Sequence, residues 1–378
     1  MARERTKALF AVALLMLFLL GLATLAISSF GGSGVAPKAD PPVCPEGWRL
    51  HDIDPPSSSA LLHDVEMISR DDGWAVGIDY QNDRPLILRW DGVRWNSVDN
   101  APIEGGELSA VSGSSSGDLW AVGNASGVMP LILHFDGRHW QRVDDVPNPG
   151  GPSGIGLHSL TRVSSREVWA FGSFGVIDKT TSASVPLALK WNGRTWTRSR
   201  VGGRGYLAGS VAAGGRLWAV GSARPSTSKA APPPAALAVR AEGSRWIEVE
   251  VDKKRHTLSA VTAKDEFLFA VAGSNRKSSV LRHDGSGWIT IDDVAKSRLS
   301  DIAPQGGSLW AAGSRKDAPL ILRKTNGTWV AHDLPPTPLA RGGVRALDPG
   351  ENGRLWAVGD TSNVKETQRK PLILEYCP

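Results

Sequence analysis

With 378 residues, 41% hydrophobic, 21% charged and 7% aromatic, the chain has a globular composition that excludes both a disordered protein and a polytopic membrane protein. Its aromatic content is lopsided, 15 Trp against 8 Phe and 3 Tyr, and 42 Gly with 25 Pro mark a chain of many turns. The 2 Cys exclude a disulfide-dense miniprotein and any multi-cysteine metal array.

The N-terminus comes first. Arg3, Arg5 and Lys7 precede a charge-free apolar run from Ala8 to Ile27, long enough to cross about 30 Å of hydrocarbon as a helix. Basic residues on one side only place residues 1–7 in the cytoplasm and the rest of the chain outside. The competing reading is a cleaved signal peptide, with Thr24-Leu25-Ala26 as a small-x-small site. Residues 28–43 are a Gly/Ser/Pro stretch without periodicity and read as a linker.

From Cys44 onward one pattern recurs. Its centre is a short strand: GWAVG at 73–77, LWAVG at 119–123, VWAFG at 168–172, LWAVG at 217–221, LFAVA at 268–272, LWAAG at 309–313 and LWAVG at 355–359. Trp74, Trp120, Trp169, Trp218, Phe269, Trp310 and Trp356 lie about 41–51 residues apart, the period of four-stranded propeller blades. Each unit reads as strands a to d: a short alternating segment such as Leu108 to Val111, the LWAVG strand, an apolar run such as Leu131-Ile132-Leu133, and a strand opened by a second Trp. Asp91-Gly92, Asp136-Gly137, Asn192-Gly193, Asp284-Gly285 and Asn326-Gly327 separate strands c and d. Asp-Gly and Asn-Gly there predict two-residue hairpins with positive φ at both central positions. The second Trp column is Trp95, Trp140, Trp196, Trp246, Trp288 and Trp329. A radial wedge accounts for these choices: small residues where blades crowd, Trp where the gap widens. The alternative for any one Trp is an exposed sugar-stacking platform.

Seven LWAVG strands accompany only six complete c–turn–d units. The last unit stops at Leu372-Ile373-Leu374-Glu375-Tyr376-Cys377-Pro378, and its missing fourth strand matches Cys44 to Leu50. Cys44 precedes Trp48 by the spacing that separates Asp91 from Trp95, and Cys377 occupies the same column at the other end. The two cysteines therefore fall where a hairpin turn would sit, and a Cys44–Cys377 disulfide would replace it; two unrelated thiols are the alternative. The predicted fold is all-β, a seven-bladed propeller over 44–378 preceded by one N-terminal membrane helix.

Tandem LWAVG strands followed by apolar-Asp-Gly-x-x-Trp hairpins resemble bacterial exported β-propellers of the kelch and Asp-box type, broadly similar to the photosystem II assembly-factor propellers. Arg89 stands where an Asp-box carries Ser, and strand b lacks the kelch double glycine. The resemblance implies the fold; propellers with similar blades host unrelated activities.

Function would reside on the face carrying the b–c and d–a loops, where length varies most: Ile78 to Arg84, Ser173 to Val185 and Ser222 to Pro234. Loops of the later units are rich in Lys and Arg, among them Lys253, Lys254 and Arg255. With a net charge of +5 they point to an anionic partner, or serve solubility alone. His63, His158 and His256, each five residues before an apolar residue of strand a, read as channel-mouth groups in blades 1, 3 and 5. They could contact a polar ligand, cap the inner strands or hold a metal, the last made difficult by the distance between those blades. No G-x-S-x-G, H-E-x-x-H or P-loop occurs. Asp64, Glu66 and Glu107 could serve a glycosidase.

These features point to a membrane-anchored or secreted envelope propeller acting as a non-catalytic binding or scaffold module, with neither cofactor nor metal. Its partner would be a protein or an anionic envelope glycan, not nucleic acid. The alternative is a glycan hydrolase or lyase using carboxylates at the channel face.

Overall fold

The computed structural model describes residues 44–53, 57–98, 103, 105–126, 129–149, 154–178, 181–223, 234–252, 256–274 and 277–378. The predicted membrane or signal segment and its linker lie outside the described residues, as do Lys253, Lys254 and Arg255. Among the described residues no helix is long and apolar enough to cross a membrane.

Seven four-stranded antiparallel sheets make up the fold, and in six of them the strands are consecutive in sequence. Blade 1 runs through Ala60–Ser69, Asp72–Asp79, Arg84–Trp90 and Trp95–Ser97. The inner strands of blades 2 to 7 are Gly106–Ser115, Ile155–Ser164, Gly205–Ala213, Thr257–Lys264, Arg298–Gln305 and Arg341–Pro349. In blade 7 the order is Arg341–Pro349, Leu355–Ser362, Arg369–Cys377 and then Gly47–Leu50 from the other end of the chain. Gly47 pairs with Cys377 and Trp48 with Tyr376, and Cys44 is disulfide-bonded to Cys377 across a Cα–Cα distance of 5.8 Å. The closure read from cysteine spacing is therefore present.

The LWAVG alternation determines how blades stack. In one core cluster Trp74 and Val76 of blade 1 face Leu119 and Ala121 of blade 2, so the Trp side of each b strand meets the next blade and its Ala side the previous one. Trp74 meets Trp140 edge-on at 5.4 Å, Trp120 meets Trp196 at 5.3 Å, Trp169 meets Trp246 at 5.6 Å and Trp356 meets Trp95 at 5.6 Å. The Trp excess thus fills the seams between blades. Burying each such ring stabilises by about 1.5–3 kcal/mol, with a further 0.5–1.5 kcal/mol for the edge-to-face contact.

Every inner strand carries a one-residue register shift at the same place, between Leu62 and Asp64, Leu108 and Ala110, Leu157 and Ser159, and likewise in the remaining four blades. The extra residue of each bulge is His63, Ser109, His158, Ala208, Ser259, Ser300 or Arg345. A bulge re-aims its extra side chain. It also explains the Gly that ends LWAVG: a Cβ on Gly77 would stand 2.0 Å from the Leu61 carbonyl oxygen, and one on Gly123 2.1 Å from that of Glu107. Blade 5 carries Ala272 in this column.

Two local expectations are corrected. The Asp-Gly turns are not two-residue hairpins. Trp90 pairs with Trp95 across four residues, Gly92 has φ 93°, and Asp91 is not among the positive-φ residues. Asp91 Oδ1 instead accepts the N–H groups of Val93 and Arg94, both at 2.9 Å, closing the loop as an Asx turn. Asp136 and Asn192 do the same. Only Asn326-Gly327, with φ of 49° and 80°, forms the expected two-residue turn. The second correction is in blade 3, where the residues read as a b–c loop extend the hairpin: Glu167–Asp178 pairs with Thr181–Trp191 as far as Asp178 and Thr181.

Candidate functional site

The seven bulged residues meet in the central channel, where they line a cavity of about 210 Å³ together with Asp64, Ser159, Ser210 and Asp301. His63 and His158 are both in this ring, as the sequence suggested. His256 is not: it precedes its inner strand, and the blade-5 residue in the ring is Ser259. Counting from Val261 misplaced it, because the bulge, not the last apolar residue, marks the common register.

His63, Glu107 and His158 come from three successive blades and form an arc at the channel mouth. His63 Nε2 lies 3.3 Å from Glu107 Oε2, and Asn124 Nδ2 donates to Glu107 Oε1 at 3.2 Å. Contact with His63 holds the Glu107 carboxyl below its usual range, so it is ionised. Burial pushes His158 down, Glu107 pulling the other way and His63 adding repulsion. Among the described residues the one group close enough to share an ion is Cys44, Glu375 and Cys377, and its cysteines are disulfide-bonded. The three histidines are not brought together: His63 and His158 line the channel, while His256 precedes its strand.

Asp64 and Asp301 line the channel, and Glu66 and Asp348 of the inner strands lie close enough to interact with them. Asp64 Oδ1 accepts the N–H of Val65 and its Oδ2 that of Val111 in the next blade, both at 2.9 Å. Asp301 does likewise with Ile302 at 2.8 Å and Leu347 at 2.7 Å. Glu66 receives the Gly113 N–H and Asp348 the Met67 N–H. Each carboxyl thus clasps one inner strand to the next. Burial dominates their titration, pushing Asp64 up to about 7, Glu66 to about 8 and Asp301 to about 6. Asp348 rises well above the usual range, through burial and then repulsion from Glu66. Asp301 and Asp348 were not singled out from sequence. The signal for Asp301 was there: Leu62-His63-Asp64-Val65 and Leu299-Ser300-Asp301-Ile302 occupy the same place in their units.

The b–c loop face holds a second cavity, about 330 Å³ between blades 6 and 7, lined by Arg298, Arg341, Arg345 and Arg369 among others. Arg345, the bulged residue of blade 7, lines both this cleft and the channel. Asp360, 5% exposed, pairs with Arg345 Nε at 3.0 Å and Arg369 at 3.3 Å, Glu366 also pairs with Arg369 at 3.2 Å, and Asp317 lines the same cleft. Arg369 also lies 5.8 Å from the Tyr80 ring of blade 1. A guanidinium cluster of this kind suits carboxylate, sulfate or phosphate groups.

No protein-family model matches the chain, and no curated protein matches it. Solved structures do. A structure described as YCF48 bound to D1 peptide superposes with a TM-score of 0.59 at 16% identity, covering 89% of this chain and 99% of that one. The WD40 β-propeller domain of Doa1 gives 0.57 at 11% identity over 88% and 98%. A puromycin-hydrolyzing peptidase of Mycobacterium tuberculosis gives 0.53 at 14% identity, over 83% of this chain but 49% of that one. At these identities the likeness is one of fold, and the fold this chain shares with them is the β-propeller.

Proposed function

We propose that the protein is a non-catalytic binding module of the cell envelope, held at the membrane by residues 8–27 or released after their cleavage, that engages an anionic protein segment or glycan on its b–c loop face. The observation that carries this is the arginine-lined cleft between blades 6 and 7, continuous through Arg345 with the channel. Two further points support it. The structure described as YCF48 bound to D1 peptide is of a propeller holding a peptide, and the Cys44–Cys377 disulfide suits an oxidising compartment. The test is binding of the full-length chain in detergent to an immobilised carboxylated polysaccharide and to an acidic peptide. Arg298→Glu combined with Arg341→Glu should weaken binding at least tenfold at low salt, where exposed charges are least screened. Unchanged binding would overturn the proposal.

The second reading, a glycan hydrolase or lyase, draws on Glu107, ionised at the mouth, and Asp64, pushed up to about 7 below it. A glycosidase needs one carboxyl in each state. Release of reducing ends from an envelope polysaccharide, lost in Glu107→Gln, would favour it over the binding module.

A further inference from the structure

We propose that the seam between blades 3 and 4, on the face opposite the b–c loops, docks an acidic segment of a partner protein that inserts an aromatic side chain. In five seams the chain supplies a ring at the end of strand c that packs on the b-strand Trp of the preceding blade. The pairs are Trp90 on Trp356 at 5.2 Å, Phe135 on Trp74 at 4.8 Å, Trp191 on Trp120 at 5.1 Å, His283 on Trp218 at 4.7 Å and Tyr376 on Trp310 at 4.9 Å. Blade 6 carries Lys324 there, which pairs with Asp292 of blade 5 and lies 5.7 Å from the Trp329 ring. Blade 4 carries Ala241, opposite Trp246 in the register that holds Trp90 opposite Trp95.

Beside Ala241 the seam is open. A cavity of about 410 Å³ opens beside Trp169, floored by Ala241, Ala212 and Gly214 and edged by Val163. Trp169 is 7% exposed, against 1–4% for the other five b-strand tryptophans, and Val163 is 47% exposed. Glu167, the acidic group of the site, is already engaged: it accepts Trp169 Nε1–H at 2.9 Å and pairs with Lys190 at 2.9 Å. Arg216 lines the opening, and Arg166, Arg194 and Arg245 are exposed at turns and strand ends on the same face of blades 3 and 4. None of these four forms an ion pair with another described residue. An aromatic ring satisfies the apolar space, since rings fill it in the other seams, and acidic neighbours satisfy the collar. The adjoining seam between blades 4 and 5 keeps His283, and its cavity of about 350 Å³ is lined by Asp265, Glu266 and Asp284 together with Arg216 and Arg240. That seam keeps its ring and mixes three carboxyls with its arginines, whereas the acidic lining residue beside Trp169 is Glu167, already engaged by Lys190.

This surface is separate from the loop face, so the two proposals stand or fall apart. The probe is a labelled Asp-Glu-Trp-Glu-Asp peptide, with Asp-Glu-Ala-Glu-Asp as its control, read by fluorescence anisotropy against the full-length chain at low salt. The Trp peptide should bind at least tenfold more tightly than the Ala peptide. Ala241→Phe, which restores the ring from within, should cost at least tenfold in affinity while leaving the melting temperature equal or higher. Arg166→Glu with Arg216→Glu should cost as much and does not touch the packed seam. Equal binding of the two peptides, undiminished binding to Ala241→Phe, or loss in Arg298→Glu but not in Arg216→Glu would each overturn the proposal. So would displacement by an anionic glycan of the Ala peptide as readily as the Trp peptide.

Discussion

Trp48, in the strand that completes blade 7, meets Trp310 of blade 6 edge-on, with ring centroids 6.0 Å apart and planes at 78°. This is the contact Trp140 makes with Trp74 at 82°. Blade 7 thus receives from the N-terminus the ring that each other blade takes from its own fourth strand. His51, just beyond that strand, packs on both Trp90 and Trp356. One short segment therefore seals the seams on either side of blade 7.

Trp48→Ala should destabilise the protein by about 3 kcal/mol, the lower end for a buried Trp because this ring is half-buried. Urea unfolding measures it. Trp140→Ala, at 2% exposure, should cost as much or more. A loss under 1 kcal/mol for Trp48 would mean that the ring is closed without it.

Reduction, or Cys44→Ser with Cys377→Ser, should lower the melting temperature markedly. The bond spans 333 residues, and in the chain-entropy model such a loop is worth roughly 5–6 kcal/mol, an upper figure. Beside the bond Glu375 is fully buried, and burial alone would push it up. The hydrogen bond from His51 and the charges of Arg49 and Arg354 outweigh that and hold it down. These contacts should keep the strand docked after reduction, so the reduced protein should unfold at lower temperature and still bind its partner. Non-reducing mass spectrometry should recover the Cys44–Cys377 peptide pair.

Stability should fall as pH rises. Asp64, Glu66, Asp301 and Asp348 titrate higher in the folded protein than in the unfolded chain. Between about pH 4 and 8 the folded state therefore binds more protons, and the stability these groups confer is lost as the buried carboxyls ionise. The melting temperature should drop by several degrees from pH 5 to pH 9. Asp348→Asn, which keeps an acceptor for the Met67 N–H, should flatten the profile. A profile unchanged in Asp348→Asn would rule these groups out as its source.

Gly123→Ala should cost about 1–3 kcal/mol, because its Cβ would stand 2.1 Å from the Glu107 carbonyl oxygen and the bulged strand must shift to admit it. Gly285→Ala, with nothing within 4 Å but a φ of 102°, isolates backbone strain for comparison. Thermal melts of the two variants separate steric from conformational cost.

The blades were legible because each is local: a Trp at a fixed place in the b strand, an apolar c strand and a turn recur within one unit. The candidate site was less legible. His63 and His158 were placed correctly on the channel, but His256 was not, since its register depends on a bulge that leaves no mark on apolar periodicity. Asp91-Gly92 misled for a related reason: the pair of residues is compatible with two turns, and strand twist together with the hydrogen bonds of Asp91 selected the longer one.

The amino-acid sequence by itself determined how many blades form, which end of the chain completes the last one, and where the closing cysteines meet, because repetition and spacing carry that information along the chain. Tertiary structure alone decided that seven bulged residues share a channel, that Asp64 and Asp301 clasp neighbouring blades, and that Ala241 leaves a ring missing beside Trp169. Those facts are contacts between units some forty to fifty residues apart, and a contact exists only once both partners have been brought to the same seam.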